Sequence, residues 1–594
     1  MFRKVLVANR GEIAIRVCRT LRELGIGSVG VYSEVDREAP FVGYADEAYL
    51  IGPGPAAESY LKIDVIIETA LRAGAEAIHP GYGFLAENAR FARACAAAGL
   101  VFIGPSPEAI DAMGSKIRAR ALMHAAGVPI VPGVTEAVQT IEEARTIAED
   151  IGFPIAVKAA AGGGGKGFRV ALTPAELEDA FEGARREAEK FFADSLVYLE
   201  RYLPHPRHVE IQILADSQGN CIWLGERDCS VQRRHQKLVE ETPSPVVSDA
   251  LRERMGAASV RAASAVDYVS AGTLEYLVSG EEFFFLEMNT RIQVEHTITE
   301  VVVGIDLVRE QIRIAAGEPL SLAQDEVRPR GHAFECRINA EDATKRFLPS
   351  PALITEYREP AGPGIRVDSG VRAGTRIAEI YDPMVAKLIV WDVDRESARR
   401  RMLRALDEYV VGGPATLIPF HKWLFGLEEF IGGGACHDEL ARLAETPTAL
   451  PDDERGPLGG PAESAEPEEP QVVRELTAEV DGRRFGIRLS IPASQVGAAA
   501  APAVRAKTRR QHGAGTRSGR AGQPIEAVTT PMQGTVLRVL VAEGQGVAEG
   551  DVLCIVEAMK MENEVAAHRA GTVKELSVAE GQSVNADQVI AIVV

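Results

Sequence analysis

The 594-residue sequence has little cysteine: Cys18, Cys95, Cys221, Cys229, Cys336, Cys436 and Cys554 are scattered, seven in all, and no two stand in a CxxC spacing. An odd, dispersed set is no disulfide framework, and zinc or iron–sulfur sites are not expected without the paired spacing. The pattern suits a reducing compartment. No charge-free apolar stretch is long enough to cross a bilayer. The apolar run in the opening MFRKVLVANRGEIA is too short for a signal peptide. A positive charge excess is also missing: 65 Lys and Arg stand against 85 Asp and Glu, a formal charge of −20, which argues against nucleic acid as the main partner. The expectation is a cytoplasmic protein without membrane or nucleic-acid contacts. What is present is an ordinary globular balance, 46% hydrophobic and 25% charged, on a chain long enough for several domains.

Strand and helix signals alternate over 1–112, where KVLVAN is followed by the helical spacing of GEIAIRVCRTLRELG, which is a βαβ pattern and implies a mostly parallel sheet. The alternation continues with more β character over 113–320, and 330–440 reads as a further α+β unit. Composition then changes. The segment 441–524 is linker-like, with an acidic Pro/Gly-rich stretch at 451–470 and a basic one at 497–522. Between them, 472–491 alternates apolar and polar residues around Asp481-Gly482, a hairpin signal. The last part, 525–594, contains a repeat: GTVLRVLVAEGQGVAEGDVLCIV (534–556) matches GTVKELSVAEGQSVNADQVIAIV (571–593) at a constant offset. Two β-rich halves this similar should pack as pseudo-symmetric partners, since neither buries its apolar face alone.

Three clusters carry chemistry. KAAAGGGGKG (158–167) is a loop whose backbone N–H groups can approach phosphates closely. Flanked by Lys158 and Lys166, with Lys116 upstream, it reads as a lid over a nucleotide, the alternative being a mobile structural loop. AGTLEYLVSGEEFFFLEMNT (271–290) is a pair of apolar strands around SGEE. A turn centred on Glu281 sets Glu275 opposite Glu287, and like charges facing each other are destabilising. A cation between them removes that penalty, with Asn289 on the same face. Oxygen ligands suit Mg²⁺, with Mn²⁺ as the alternative ion; a solvated glutamate pair is the other reading. Finally, EAMKME (557–562) falls between the two repeats, so Lys560 stands at or near the tip of an exposed hairpin, where a lone lysine is ordinarily just solvated.

The repeated β halves, the tip lysine and Met559 and Met561 on either side together resemble a biotinyl domain, whose attachment sequence is EAMKME. Lipoyl domains share the architecture, but their tip lysine typically lacks the paired methionines. The preceding 440 residues resemble biotin carboxylase through ANRGEIA (8–14), HPGYGFLAEN (79–88), GGGGKG (162–167), RHVEIQ (207–212), RDCSVQRRHQK (227–237), EMNTRIQVEH (287–296) and ECRINAED (335–342). The whole chain resembles the α subunit of actinobacterial-type acyl-CoA carboxylases. The resemblance implies an α/β and α+β multidomain chain: a Rossmann-like N-terminal domain, an ATP-grasp core with a mobile lid over about 130–203, a biotin carboxylase C-terminal domain and an all-β biotinyl barrel-sandwich.

It also implies roles. Lys116, Lys158, Gly163, Gly164, Gly165, Lys166, Glu200, Leu203, His208, Gln232 and His235 would surround ATP, although His208 and His235 read equally well as satisfied core histidines. Glu275, Glu287 and Asn289 would hold the metal. Lys237, Arg291, Gln293 and Val294 would bind bicarbonate, with Glu295 as the base that deprotonates it on the way to carboxyphosphate. Arg337 would stabilise the enolate-like oxygen of deprotonated biotin, an electrostatic role. Biotin would be attached to Lys560 by a biotin protein ligase. The carboxyl acceptor would be handled by a separate carboxyltransferase β subunit in a hetero-oligomer, with the hairpin at 472–491 either docking that subunit or packing on the chain's own core. Two residues depart from the family pattern: Arg201, where lysine is frequent, and Thr297, where proline is usual. Two other readings stay open at this point: a carrier subunit with an inactive ATP-grasp part, and an ATP-grasp ligase of another kind with a lipoyl-type domain.

Overall fold

The computed structural model describes residues 1–134, 137–159, 168–192, 195–233, 236–445, 471–480, 483–492, 527–530, 534–558, 561–584 and 588–594. Five parallel strands open the chain: β1 (Lys4–Val7), β2 (Gly27–Ser33), β3 (Glu47–Gly52), β4 (Ala77–His79) and β5 (Val101–Phe102), in the order β3-β2-β1-β4-β5. Val5 and Val7 pack into one buried cluster and Leu6 into another. Both faces are therefore covered, as a parallel sheet built on crossover helices requires. The first of these helices, α1 (Gly11–Glu23), buries Ile13, Val17 and Leu21 against this sheet's core.

A second, three-stranded antiparallel sheet has the order β7-β6-β8, from β6 (Ile155–Ala159), β7 (Phe168–Ala171) and β8 (Val197–Arg201). The helix Ile141–Ile151 that packs on it starts with a capping box, Thr140 and Glu143 each satisfying the other's backbone N–H.

The largest sheet has eight antiparallel strands in the order β13-β12-β9-β10-β11-β14-β16-β15. They are β9 (Arg207–Ala215), β10 (Cys221–Arg233), β11 (Gln236–Thr242), β12 (Ser270–Ser279), β13 (Glu282–Asn289), β14 (His332–Asn339), β15 (Ile365–Ser369) and β16 (Met384–Asp392). Helix α2 (Lys116–Ala125) precedes the three-stranded sheet, and α3 (His296–Val303) follows β13. The residues of β14 and β16 that point away from the site, such as Phe334, Ile338 and Leu388, pack with Met402, Phe420 and Phe425 from the C-terminal helices. One sheet thus runs from the central region into the C-terminal one. It brings side chains more than 100 residues apart in sequence onto a common face.

The hairpin β12–β13 reaches its register by an unexpected route. Ser279 pairs with Glu282, so the tight turn is Gly280-Glu281 rather than a loop centred on Glu281. Gly280 has φ +58°, as the first position of a two-residue II′-type turn requires. Continued without interruption, that register would not set Glu275 opposite Glu287. A β-bulge at Leu286 inserts one residue between the Tyr276–Phe285 pair and the next, and Glu275 then faces Glu287, with Thr273 opposite Asn289.

Residues 471–480 and 483–492 form a separate two-stranded antiparallel hairpin, paired from Gln471–Pro492 to Val480–Arg483; Asp481 and Gly482 lie outside the described residues. The C-terminal repeat forms two four-stranded sheets. One contains 527–529, 589–593, 571–576 and 546–547; the other contains 561–566, 552–558, 534–539 and 583–584. The halves exchange strands between the sheets, and their pairings repeat: Val536 pairs with Val556 as Val573 pairs with Val593. Val536, Val556, Val573 and Val593 are all 0% exposed.

Candidate active site

The site is built on one face of the eight-stranded sheet, where a lysine is surrounded by carboxylates. Lys237 of β11 donates to Glu210 Oε2 at 2.6 Å, Glu275 Oε1 at 2.9 Å and Glu295 Oε1 at 2.6 Å. Beneath it lies Arg227 of β10, with no exposed side-chain surface. Its Nε bonds Glu210 Oε1 at 2.5 Å; its Nη1 bonds Gln212 and Thr299, and its Nη2 bonds Thr273 and Gln293. All five donors of this guanidinium are spent on the site's floor, which fixes Glu210 and Gln293.

Glu295 sits at the N-cap of α3 and is 2% exposed. Its second oxygen accepts from Arg337 Nη2 at 2.9 Å, and Arg337 is held in turn by Glu240 through Nε at 2.7 Å. Burial alone would raise the Glu295 carboxyl, but Lys237, Arg337 and Arg227 outweigh it and hold it well below the ordinary range. Glu240 responds in the opposite direction: burial, with the nearby Glu335 and Glu295 charges, raises its carboxyl to about 8 against the pull of Arg337.

Glu275 is engaged at both oxygens. Its Oε1 accepts from Lys237, Asn289 and Gln293, and its Oε2 pairs with His208 Nε2 at 2.9 Å. Burial would lower the His208 imidazole, but Glu275 raises it. The other His208 nitrogen meets Gln232 Nε2 at 2.9 Å. Glu287, across from Glu275, opens to solvent; desolvation by the cleft wall and the facing Glu275 charge raise its carboxyl, while Lys116 at the start of α2 lowers it. Arg291 lies beside them, with Nη2 on Asn289 Oδ1 and Nε on Glu87 Oε2, both at 2.9 Å.

The remaining sequence candidates form a second group on the small sheet. Lys158 and Arg120 both hold Glu200, each at 2.5 Å. Leu203 packs with Val131 and Phe284. Gly163, Gly164, Gly165, Lys166, His235 and Lys560 lie outside the described residues. Of the two departures, Arg201 pairs with Glu282 at 3.1 Å over the Phe284 ring, and the Thr297 hydroxyl donates to Glu335 in a short hydrogen bond. Sequence reasoning gave no role to Arg227, Glu210, Glu240, Glu87 or Arg120. Arg227, Glu210 and Glu87 lie inside the family motifs, and for the first two a charged residue in an otherwise apolar strand was the available signal.

Four family models match the chain in succession: the biotin carboxylase N-terminal domain over 1–110, the ATP-binding domain of the carbamoyl-phosphate synthase L chain over 115–323, the biotin carboxylase C-terminal domain over 335–441 and the biotin-requiring enzyme family over 526–593. A pyruvate carboxylase subunit of Methanothermobacter thermautotrophicus is 55% identical over 73% of this chain and 88% of its own. The chain belongs to the biotin carboxylases. The α3 subunit of a biotin-dependent acyl-coenzyme A carboxylase of Mycobacterium leprae is 47% identical over 95% of this chain and 94% of its own. Among solved structures, the biotin carboxylase domain of the Hydrogenobacter thermophilus 2-oxoglutarate carboxylase, in complex with MgADP, ADP and bicarbonate, covers 75% of this chain and 99% of its own at 48% identity and TM-score 0.69.

This biotin carboxylase is an ATP-grasp ligase with a biotinyl domain fused to its C-terminal side, and it carboxylates biotin at the expense of ATP with Mg²⁺. The residues fit the ion. Two carboxylates and an amide oxygen on adjacent strands are the hard donors Mg²⁺ takes, and Glu287 is the one with room on its oxygens. Glu275 Oε1 already accepts three hydrogen bonds, whereas its Oε2 meets only the His208 imidazole. Glu275 and Glu287 would hold such an ion beside Lys237, the cation that now balances Glu275. Among the described residues, no helix is long and apolar enough to cross a membrane.

Proposed function

We propose that this chain is the α subunit of an acyl-CoA carboxylase: it carboxylates biotin carried on its own Lys560 and passes the carboxyl group to a separate carboxyltransferase β subunit, which makes malonyl-CoA, methylmalonyl-CoA or a related product. The observation that carries this reading is the end-to-end likeness to the mycobacterial α3 subunit, 95% of this chain against 94% of that one. By contrast, the likeness to the methanogen's pyruvate carboxylase polypeptide stops at 73% of this chain. Biotin protein ligase would attach the biotin.

In this reading Lys237, Arg291, Gln293 and the Val294 N–H hold bicarbonate. Lys116, Lys158, Glu200, Leu203, His208 and Gln232 face ATP together with the 163–166 loop and His235, and Glu275, Glu287 and Asn289 hold Mg²⁺. The ion supplies charge neutralisation at the phosphates. Glu295 takes the bicarbonate proton. Its surroundings support ionisation at every working pH, and the incoming anion, by adding negative charge beside it, raises its proton affinity when the base is needed. Phosphoryl transfer gives carboxyphosphate, which releases CO₂ and phosphate beside biotin. Arg337 then faces the enolate-like oxygen of deprotonated biotin.

A second reading has one observation in its favour: the 55% identity to the pyruvate carboxylase polypeptide, which would make the acceptor a 2-oxoacid. The deciding experiment supplies biotinylated chain with ATP, Mg²⁺, bicarbonate and a co-purified partner, and offers acetyl-CoA, propionyl-CoA and pyruvate in parallel. Carboxylated CoA product only when the partner is present is the expected result. Carboxylated pyruvate, or CoA product from this chain alone, refutes the assignment.

A further inference from the structure

Val294 is flanked by two carbonyls, and each meets a buried side-chain donor, the Gln293 carbonyl taking the His296 backbone N–H at 3.3 Å as well. The Gln293 carbonyl accepts from His296 Nδ1 at 2.7 Å, and the Val294 carbonyl accepts from Lys387 Nζ at 2.9 Å. A carbonyl cannot donate, so His296 carries its proton on Nδ1. Both side chains are 0% exposed. Neither has another close hydrogen-bond partner: Lys387 has Glu12 only at 3.5 Å, and His296 Nε2 is unsatisfied. An ammonium is expensive to bury, and the best hydrogen bond this one makes goes to a loop carbonyl 93 residues away in sequence.

The consequence is directional. In a trans peptide the N–H points opposite to the C=O, and the cis bonds of the described residues are at Phe153-Pro154 and Thr242-Pro243. Drawing the Gln293 carbonyl toward His296 turns the Val294 N–H the other way. Drawing the Val294 carbonyl toward Lys387 does the same for the Glu295 N–H. Among the described residues neither N–H donates to a protein group. The side chains on either side of these peptides do point into the charged cluster, Gln293 onto Glu275 and Arg227, and Glu295 onto Lys237 and Arg337. A flipped peptide would present a carbonyl oxygen, the wrong end of the dipole, to an anion.

We infer that Lys387 and His296 are positioning residues that clamp the peptides around Val294 and fix its N–H as a backbone donor to the bicarbonate anion. The inference rests on the proposed bicarbonate site. The experiment measures the KM for bicarbonate and for ATP in bicarbonate-dependent ATP cleavage by the full chain, with the thermal midpoint alongside. Lys387→Met is made with Glu12→Gln, so that the Glu12 carboxylate 3.5 Å away is not stranded. His296→Leu removes the second donor, and His296→Asn places a side-chain N–H where Nδ1 stood.

The double variant and His296→Leu should each raise the bicarbonate KM about ten-fold, the size of a lost hydrogen bond to a charged group, with the ATP KM within about two-fold. His296→Asn should restore it. An unchanged bicarbonate KM in folded variants, or equal rises in both KM values, overturns the clamp. If the double variant fails to fold, the Leu and Asn pair at His296 decides. Arg291→Ala serves as the reference: if it too leaves the bicarbonate KM unmoved, the anion site itself is misplaced, whereas if it alone moves that KM, only the clamp is wrong.

Discussion

Replacing Lys237 by methionine keeps much of the side chain's length and removes its charge, which makes it a direct test of the charged cluster. Glu210, Glu275 and Glu295 would lose a cation now 2.6–2.9 Å away. Arg227 and Arg337 would be left to neutralise them together with Glu240. Removing one partner of a buried ionic network costs about 3–5 kcal/mol, and with Lys237 12% exposed there is little solvent screening to soften that. For a domain of this size the loss lowers the thermal midpoint by on the order of 10 °C. Bicarbonate-dependent ATP cleavage should fall by about 10²-fold or more, the effect of losing one preorganised donor to a developing charge. Because a bound divalent cation would offset the carboxylate charge that Lys237 now balances, millimolar Mg²⁺ should recover part of the lost stability in Lys237→Met and add little to the wild type. A variant that melts within about 2 °C of wild type, with or without Mg²⁺, would mean that these carboxylates do not depend on Lys237, and the electrostatic account of the site would fail.

Glu295→Gln should bind ATP near normally and lose at least about 10²-fold in bicarbonate-dependent turnover, the scale of a general base; near wild-type turnover would make Glu295 structural. In Glu287→Gln the Mg²⁺ concentration for half-maximal activity should rise, and an unchanged requirement would mean that the Glu275–Glu287 pair does not hold the ion. With Lys560→Arg, streptavidin blotting should go blank while the melting curve stays as it was, and a persistent signal would place the biotin elsewhere. Burial raises the Glu341 carboxyl from 4.5 to about 7 against the pull of Arg233. A carboxyl raised on folding stabilises below the unfolded value and loses that contribution as pH rises through the folded one, a span of at most about 3 kcal/mol. Glu341→Gln should therefore flatten the fall in thermal midpoint between pH 5 and pH 8, and an unaltered slope would assign the fall to other groups.

Much of this molecule was legible before any coordinate. The strand pattern of the N-terminal sheet, the duplicated C-terminal halves and the residues around Glu295 are all local signals: periodicity, repetition and short motifs. The Glu275–Glu287 pairing was reached from a symmetric turn, whereas the chain achieves it with an asymmetric turn and a bulge. Nothing in FFFLEMN marks Leu286 as the extra residue, because a bulge is fixed by the partner strand's packing rather than by its own sequence. Arg227 and Lys387 were missed for a different reason. Each is a cation in a buried strand, and its meaning depends on neighbours across a sheet whose strand order no periodicity specifies. Lys387 in particular acts on a loop that the chain leaves almost a hundred residues earlier.

The exchanged strands of the C-terminal domain have a mechanical corollary. Shifted by the repeat's offset, the hairpin arm 561–566 maps back onto the domain's first strand, 527–529, and the arm 552–558 maps forward onto its last, 589–593. The place where the polypeptide enters and leaves the domain is therefore the symmetry mate of the place where 558 turns back to 561. A two-fold axis puts mates on opposite sides of itself. The chain's point of entry and the 558–561 hairpin thus stand at opposite poles of the domain, so that a group carried at that hairpin would be held a full domain length from the point of entry.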